Sequence, residues 1–179
     1  MLKLNSILAI IFSLLLATSN AQTIDATKFC EQINAIAATW TKSNFKDCQG
    51  AVVSTNTQLN TVLYKNNKEV SGAIKNEVLC YKNESSLNSV RIIFYQSELV
   101  DETTSLNFKK VFDVLKSCLK TYKMEQNGGT TTGEKDEDDE LPDFDFSKAG
   151  APNINISIEE PILDKTFKVV ITMDEPEAE

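Results

Sequence analysis

The sequence contains no histidine, and this absence excludes several classes of chemistry. Ser-His-Asp and Cys-His catalysis both need an imidazole base, and histidine is also the commonest metal ligand. The single arginine is Arg91, and the lysines are scattered among acids. A nucleic-acid surface needs clustered Lys and Arg, so we expect no nucleic-acid partner. The composition favours a protein that is not an enzyme and uses no cofactor.

Sequence motifs of enzymes that need no histidine are also only partly present. Serine and lysine recur at the spacing of a Ser-Lys pair in Ser117–Lys120 and Ser43–Lys46. Penicillin-recognising enzymes also need Ser-Asp-Asn and Lys-Thr-Gly, and this chain offers only Lys165-Thr-Phe. Gly128-Gly129 opens a polar loop without the strand and helix of a phosphate-binding motif. We therefore interpret these spacings as chance.

The first 21 residues have the pattern of a cleavable signal peptide. Lys3 supplies the positive charge, Ile7–Leu16 the apolar run, and Ser19 and Ala21 the small residues at the cleavage site. As a helix the run spans roughly 15 Å, against a hydrocarbon core of about 30 Å, which makes a retained anchor the weaker alternative. We expect a mature chain that begins at Gln22, is periplasmic or extracellular, and makes no membrane contact after cleavage.

The net charge of −8 is concentrated in two segments, Glu134–Asp145 and Asp174–Glu179. The rest of the chain is near neutral. Gly and Thr precede the first acidic segment, as is typical of a flexible loop. We predict one domain over residues 22–173, a flexible acidic loop at 127–150 within it, and an acidic tail at 174–179.

Two segments have helical periodicity. Apolar residues recur at helical spacing over Thr27–Asn44, and Asp25 is placed to cap the start of this helix. A wider apolar stripe predicts a second helix from Asp101 or Thr103 to about Glu125. Lysines toward its end suit the negative pole of the helix dipole.

Val, Ile, Thr and aromatic residues dominate the segments between and after the helices, which favours strands. The first two strands could instead be one long bent strand. The order α-β-β-β-β-α-β-β predicts an α+β fold, a mainly antiparallel sheet of about five to six strands packed by two helices. We see no internal repeat. The predicted strands are Ala51–Thr57, Leu59–Lys65, Ile74–Lys82, Ser89–Gln96, Asn153–Ile158 and Thr166–Met173.

Alternation in the central strands places apolar residues on both faces of the sheet. This pattern predicts that the second face is covered or used for binding. One face is expected to carry Val78, Cys80, Ile92 and Phe94, and the other Leu79, Tyr81, Ile93 and Tyr95.

The four cysteines are Cys30, Cys48, Cys80 and Cys118. An even count in an exported chain suggests disulfides, and the lack of CxxC pairs and of histidine argues against zinc. Cys80 on a central strand and Cys118 on the helix stripe both point toward the core, so we predict a Cys80–Cys118 bond. Cys30 and Cys48 lie at opposite ends of the first helix, and they either pair or remain thiols.

An acid–aromatic segment ends the acidic loop. The carboxylates of the whole acid run, Glu134–Asp145, favour calcium over softer metals, but the run lacks the central glycine and the final glutamate of an EF-hand, and the alternative is a solvated acid run. The aromatic residues of the segment either dock into a basic groove of a partner or anchor the loop's return to the fold. The candidate partner-binding residues are Leu141, Asp143, Phe144, Asp145 and Phe146.

Three motifs carry a resemblance to other proteins: Phe45-Lys-Asp-Cys-Gln-Gly50, Val70-Ser-Gly-Ala73 before Cys80, and Leu115-Lys-Ser-Cys-Leu119. With the closing pair of strands, they make the chain resemble small exported bacterial proteins of uncharacterised function. The order of elements is also similar to that of type III secretion chaperones. The resemblance implies an exported α+β domain and brings no catalytic residues, since fold does not carry function.

These observations predict an exported, monomeric and non-catalytic interaction domain with a protein partner. The alternative is an extracytoplasmic carrier of a small molecule or of calcium, which would use the sheet face or the acid run.

Overall fold

A computed structural model describes residues 23–83, 88–129, 141–160 and 165–176. The predicted signal peptide and most of the acid run lie outside these ranges. In the described residues two long helices and a short 3-10 turn at Lys46–Cys48 accompany the strands. In chain order the elements are α1 (Ala26–Ser43), β1 (Gln49–Asn56), β2 (Thr61–Asn66), β3 (Lys75–Tyr81), β4 (Ser89–Ser97), α2 (Glu102–Cys118), β5 (Lys123–Gln126), β6 (Asp143–Ser147), β7 (Asn153–Glu159) and β8 (Phe167–Asp174).

All eight strands form one antiparallel sheet in the order β1-β2-β3-β4-β8-β7-β6-β5. The predicted α+β class, with one antiparallel sheet and two helices, is confirmed. The predicted strand count and element order are wrong, because the structure has two further strands, β5 and β6, between α2 and β7. Each half of the chain is a helix followed by four strands, and the halves join where β4 pairs with β8.

Helix α1 begins and ends where its local chemistry dictates. The Asp25 carboxylate accepts a hydrogen bond from the backbone N–H of Lys28 at 3.1 Å, which satisfies a donor left free at the helix start. Asn44 then adopts a left-handed conformation with φ 49°, and its N–H donates to the carbonyl of Trp40. The apolar stripe between these caps packs on the sheet through Phe29, Ile33, Ile36 and Ala37.

Helix α2 is capped by Asp101, whose carboxylate accepts from the N–H of Thr104 at 2.9 Å. The prediction that this helix continues to Glu125 is wrong, because it ends at Cys118. Lys123–Gln126 instead form β5 and pair with β6, a contact between residues far apart in sequence. The lysine-rich local pattern favoured helix, but cross-strand hydrogen bonding decided the outcome.

The region from Gln49 to Asn66 is a hairpin of two strands rather than one bent strand. The Asn56 side chain accepts hydrogen bonds from the N–H groups of Gln58 and Leu59, which folds the chain back on itself. Asn60 completes the turn with a positive φ of 53°. Two irregularities interrupt the pairing of β1 with β2, between Gln49 and Val52 and between Val52 and Ser54.

Both helices cover the same face of the sheet. The face assignment predicted for the central strands is confirmed for Val78, Cys80, Ile92 and Phe94, which join the core with the helices. Leu79 and Ile93 alternate with them on the opposite face, where Ile93 pairs with Val170 of β8. No helix in the described part of the chain is long and apolar enough to span a bilayer.

Candidate functional site

Phe144 and Phe146, predicted as partner-binding residues, are buried in strand β6. The centroid of the Phe144 ring lies 4.6 Å from that of the Phe112 ring on α2, and the centroid of the Phe146 ring lies 6.3 Å from the same point. Leu141 is half-buried against the same core. Burial of both rings favours the alternative, that they fix the chain's return to the fold, and partner binding by these residues stays a prediction. The flexible loop predicted at 127–150 is wrong for Asp143–Ser147.

Asp143 and Asp145 alternate with these phenylalanines and lie on the opposite face of the sheet. Asn155 on β7 donates through its side-chain amide to both carboxylates, at 3.0 Å to Asp145. Asn153 and Asn127 also donate to Asp145. Amide donors satisfy these carboxylates, so the two acids are held rigidly in a hydrogen-bonded network.

Asp174, predicted as the start of an acidic tail, is instead the last residue of β8. Burial raises its pKa to about 6, the Asp145 charge adds to the rise, and Arg91 opposes it. Arg91 in turn forms an ion pair with Glu159 across the same face. This face therefore carries Asp174, whose pKa is raised, beside Asp145, whose carboxylate accepts hydrogen bonds from amide donors. In the described ranges no group of three or more His, Cys, Asp or Glu is arranged to hold a metal ion.

The disulfide joins Cys30 to Cys118, with Cα atoms 5.1 Å apart, so the predicted Cys80–Cys118 bond is wrong. The physical reason is that α1 and α2 lie side by side on one face of the sheet, which brings their cysteines together. Cys80 instead accepts a hydrogen bond from the Gln49 side chain at 2.9 Å. Cys48 contacts the Thr39 hydroxyl at 3.1 Å.

Cys48 and Cys80 are buried free thiols. Burial raises the pKa of both, although the contacts with Thr39 and Gln49 oppose the rise. A thiol with a raised pKa is mostly protonated near neutral pH and is a poor nucleophile. These two cysteines therefore have the properties of core residues rather than of reactive groups.

Strand β1 forms one edge of the sheet and is exposed along almost its whole length. Its two central valines, Val52 and Val53, are 58% and 52% exposed, one on each side of the strand. The strand has eight residues, Gln-Gly-Ala-Val-Val-Ser-Thr-Asn, and none is charged. Among the described strands its neighbour in the sheet is β2 alone, and its outer backbone N–H and C=O groups face away from β2.

The other edge of the sheet is built differently. Strand β5 has four residues, and Lys123 and Glu125 on it form an ion pair at 3.4 Å. Short length and charged side chains are devices that discourage the pairing of an edge with another chain. The β1 edge uses neither device, so the two edges differ in their capacity to accept another strand.

No family model, curated protein or solved structure matches this chain. The resemblance to small exported bacterial proteins stays a prediction.

Proposed function

We propose that this protein is an exported, non-catalytic binding domain that captures an extended segment of a protein partner along the β1 edge. The observation that carries the proposal is the exposure of an uncharged eight-residue edge strand. An extended peptide would add a ninth strand to the sheet, with affinity from backbone hydrogen bonds and specificity from alternate side chains.

The chemistry of β1 specifies the partner segment. Val52 and Val53 offer apolar surface on the two sides of the strand, and Ser54 and Thr55 offer hydroxyl groups. A charged partner residue would lose hydration against these side chains, and β1 itself offers no opposite charge in return. The preferred segment is therefore extended, uncharged and rich in β-branched residues.

The irregular pairing within β1 limits the length of that segment. The register shifts on either side of Val52 bend the strand, whereas Ser54–Asn56 pair regularly with Thr61–Leu63. Bulges twist an edge and shorten the stretch that is available for pairing. The edge thus favours a short segment and disfavours indefinite sheet growth.

The disulfide supports export, because such bonds persist in oxidising compartments. The carrier alternative has a separate structural basis, a cavity beside the loop that joins β2 to β3.

The experiment is a selection of random eight-residue peptides on the purified protein, with Val52→Lys as the edge variant. Met124→Lys on β5 is the matched control, since Met124 is also an exposed apolar residue on an edge strand. We expect uncharged β-branched peptides to be enriched, to bind Val52→Lys about tenfold more weakly or worse, and to bind Met124→Lys unchanged.

Two results would overturn the proposal. The first is enrichment of charged or proline-rich peptides, or of binders that do not distinguish the two variants. The second is a dimer in sedimentation analysis that Val52→Lys dissociates, which would assign the β1 edge to a second copy of the chain.

A further inference from the structure

A cavity of about 470 Å³ lies between the β1–β2 hairpin and the loop that joins β2 to β3. Its volume is within the usual range for small-molecule sites, about 300–1,000 Å³. The polar face that carries Arg91, Asp145 and Asp174 does not contribute to it, and neither does the disulfide. The lining residues that the argument uses are Val53, Lys65, Glu69, Ile74, Lys75 and Glu77.

The loop that forms one wall of the cavity is fixed to helix α1. The backbone N–H of Ser71 donates to the Gln32 side chain at 2.7 Å, and the Ser71 hydroxyl accepts from the N–H of Asp25 at 3.0 Å. Gly72 has a φ of +81° and no room for a side chain, since a Cβ there would lie 2.5 Å from Ile24. Because these contacts already hold the loop in place, a ligand would order fewer residues and binding would lose less conformational entropy.

Charges of both signs meet in the cavity. The Glu77 side chain is only 4% exposed, and one of its oxygens lies 2.6 Å from Lys75 Nζ. Lys65 lies opposite Glu77 in the register of β2 with β3, and Glu69 lies on the loop. These two ammonium groups and two carboxylates carry no net charge together, so the cavity has no electrostatic preference for an anion or a cation and favours a ligand that is neutral overall.

An apolar surface borders the charged groups. Val53 and Ile74 line the cavity and are 52% and 44% exposed, so water covers much of their surface. An aliphatic group placed against them would remove that apolar surface from water, which favours binding. The cavity thus combines charged side chains of both signs with two apolar side chains, Val53 and Ile74.

We propose that this cavity binds a free aliphatic α-amino acid. The ligand carboxylate lies toward the lysines, its ammonium group toward the glutamates, and its side chain against Val53 and Ile74. Val53 borders both this cavity and the β1 edge, but the two sites can be tested separately, because Val52, whose substitution tests the edge, does not line the cavity.

The test is titration calorimetry of the purified protein with L-leucine. Leucinamide, which lacks the carboxylate, and N-acetyl-leucine, which lacks the ammonium group, are the ligand controls. We expect leucine to bind, both blocked analogues to bind about tenfold more weakly or worse, and Glu77→Gln to weaken leucine by a similar factor. Glu125→Gln, on the opposite edge strand and also paired with a lysine, is expected to bind leucine as the unmodified protein does.

A second variant keeps the test decisive if Glu77→Gln unfolds the protein. Val53→Trp fills the cavity mouth from an exposed position and is expected to abolish leucine binding without changing the circular dichroism spectrum. The proposal is overturned by no heat at about 10 mM leucine. It is also overturned by equal binding of N-acetyl-leucine, or by unchanged binding in Val53→Trp. Peptide selection on Val52→Lys is unaffected by any of these results.

Discussion

Cys30 in the first turns of α1 is bonded to Cys118, the last residue of α2, so the two helices are tied together across 88 residues of chain. The bond spans the junction between the two halves of the molecule, each a helix followed by four strands. Closing so long a loop restricts the unfolded chain more than a short one would.

Removal of this disulfide is expected to destabilise the protein strongly. In the chain-entropy account, a loop of this length corresponds to about 4.6 kcal/mol of unfolding free energy. Guanidinium unfolding of the double variant Cys30→Ser/Cys118→Ser measures the loss. As a control, reductant should lower the guanidinium midpoint of the unmodified protein and leave the guanidinium midpoint of the variant unchanged. A reductant effect of equal size in both would show that another cysteine pair is bonded.

The two buried thiols give a second, chemical test of the pairing. Cys48 and Cys80 are buried, and burial raises the pKa of each, so a thiol reagent should react with neither in the folded protein. In guanidinium without reductant we expect both to react, and after reduction all four cysteines. Mass mapping of the unreduced protein should find the label on these two residues. Label on Cys30 or Cys118 would contradict the pairing.

The Phe112–Phe144 contact tests whether β6 belongs to the folded core. Their ring centroids are 4.6 Å apart and both side chains are buried. Each Phe→Ala substitution should cost about 3–5 kcal/mol of unfolding free energy, from lost burial and the cavity that remains. In a double-mutant cycle the pair should couple by about 0.5–1.5 kcal/mol. Independent, additive losses would mean that the two rings do not meet.

Asp174 makes stability depend on pH in a direction opposite to that of a salt-bridged acid. Its pKa is about 6 in the folded protein, against 3.8 ordinarily, so between these values the folded state binds more protons than the unfolded chain. The free energy of unfolding therefore falls as pH rises from about 4 to about 6, and this contribution levels off above.

Asp174→Asn should remove this pH dependence. It should raise the free energy of unfolding near pH 7 by about 1–2 kcal/mol, a value reduced because solvent screens part of the effect at a half-buried group. Near pH 3 it should change the free energy of unfolding little. Urea unfolding at a series of pH values from about 3 to about 7 measures this free energy. Asp113→Asn, an exposed acid on α2, is the control and should keep the slope. A slope that persists in Asp174→Asn would contradict the assignment.

Much of the secondary structure was predictable because its causes are local. The apolar stripes of α1 and α2 and their aspartate caps, Asp25 and Asp101, are visible in the sequence and hold in the structure. Strand-favouring composition, with alternation in the last two, identified six of the strands to within about two residues. β6 also had a visible signal, since Phe144 and Phe146 alternate with acids, but the surrounding acid run and glycines favoured a loop.

The candidate sites were less predictable, because each depends on contacts between distant segments. Glu77 and Lys65 become neighbours only through the register of β2 with β3, and Ser71 is fixed only by its contact with α1. The exposure of Val52 and Val53 follows from the position of β1 at the sheet edge. The composition of β1 predicts a strand, and nothing within it distinguishes an edge strand from a central one.

The sequence by itself determined the α+β class, the two helices and most of the strands, because propensity, periodicity and caps act over a few residues. It also excluded histidine chemistry outright. Tertiary structure alone decided that Cys30, not Cys80, bonds to Cys118, that β5 and β6 complete the sheet, and that β1 stays open. Those outcomes depend on which helices lie side by side and which strands pair, and such pairings are set by packing of the whole chain rather than by any one segment.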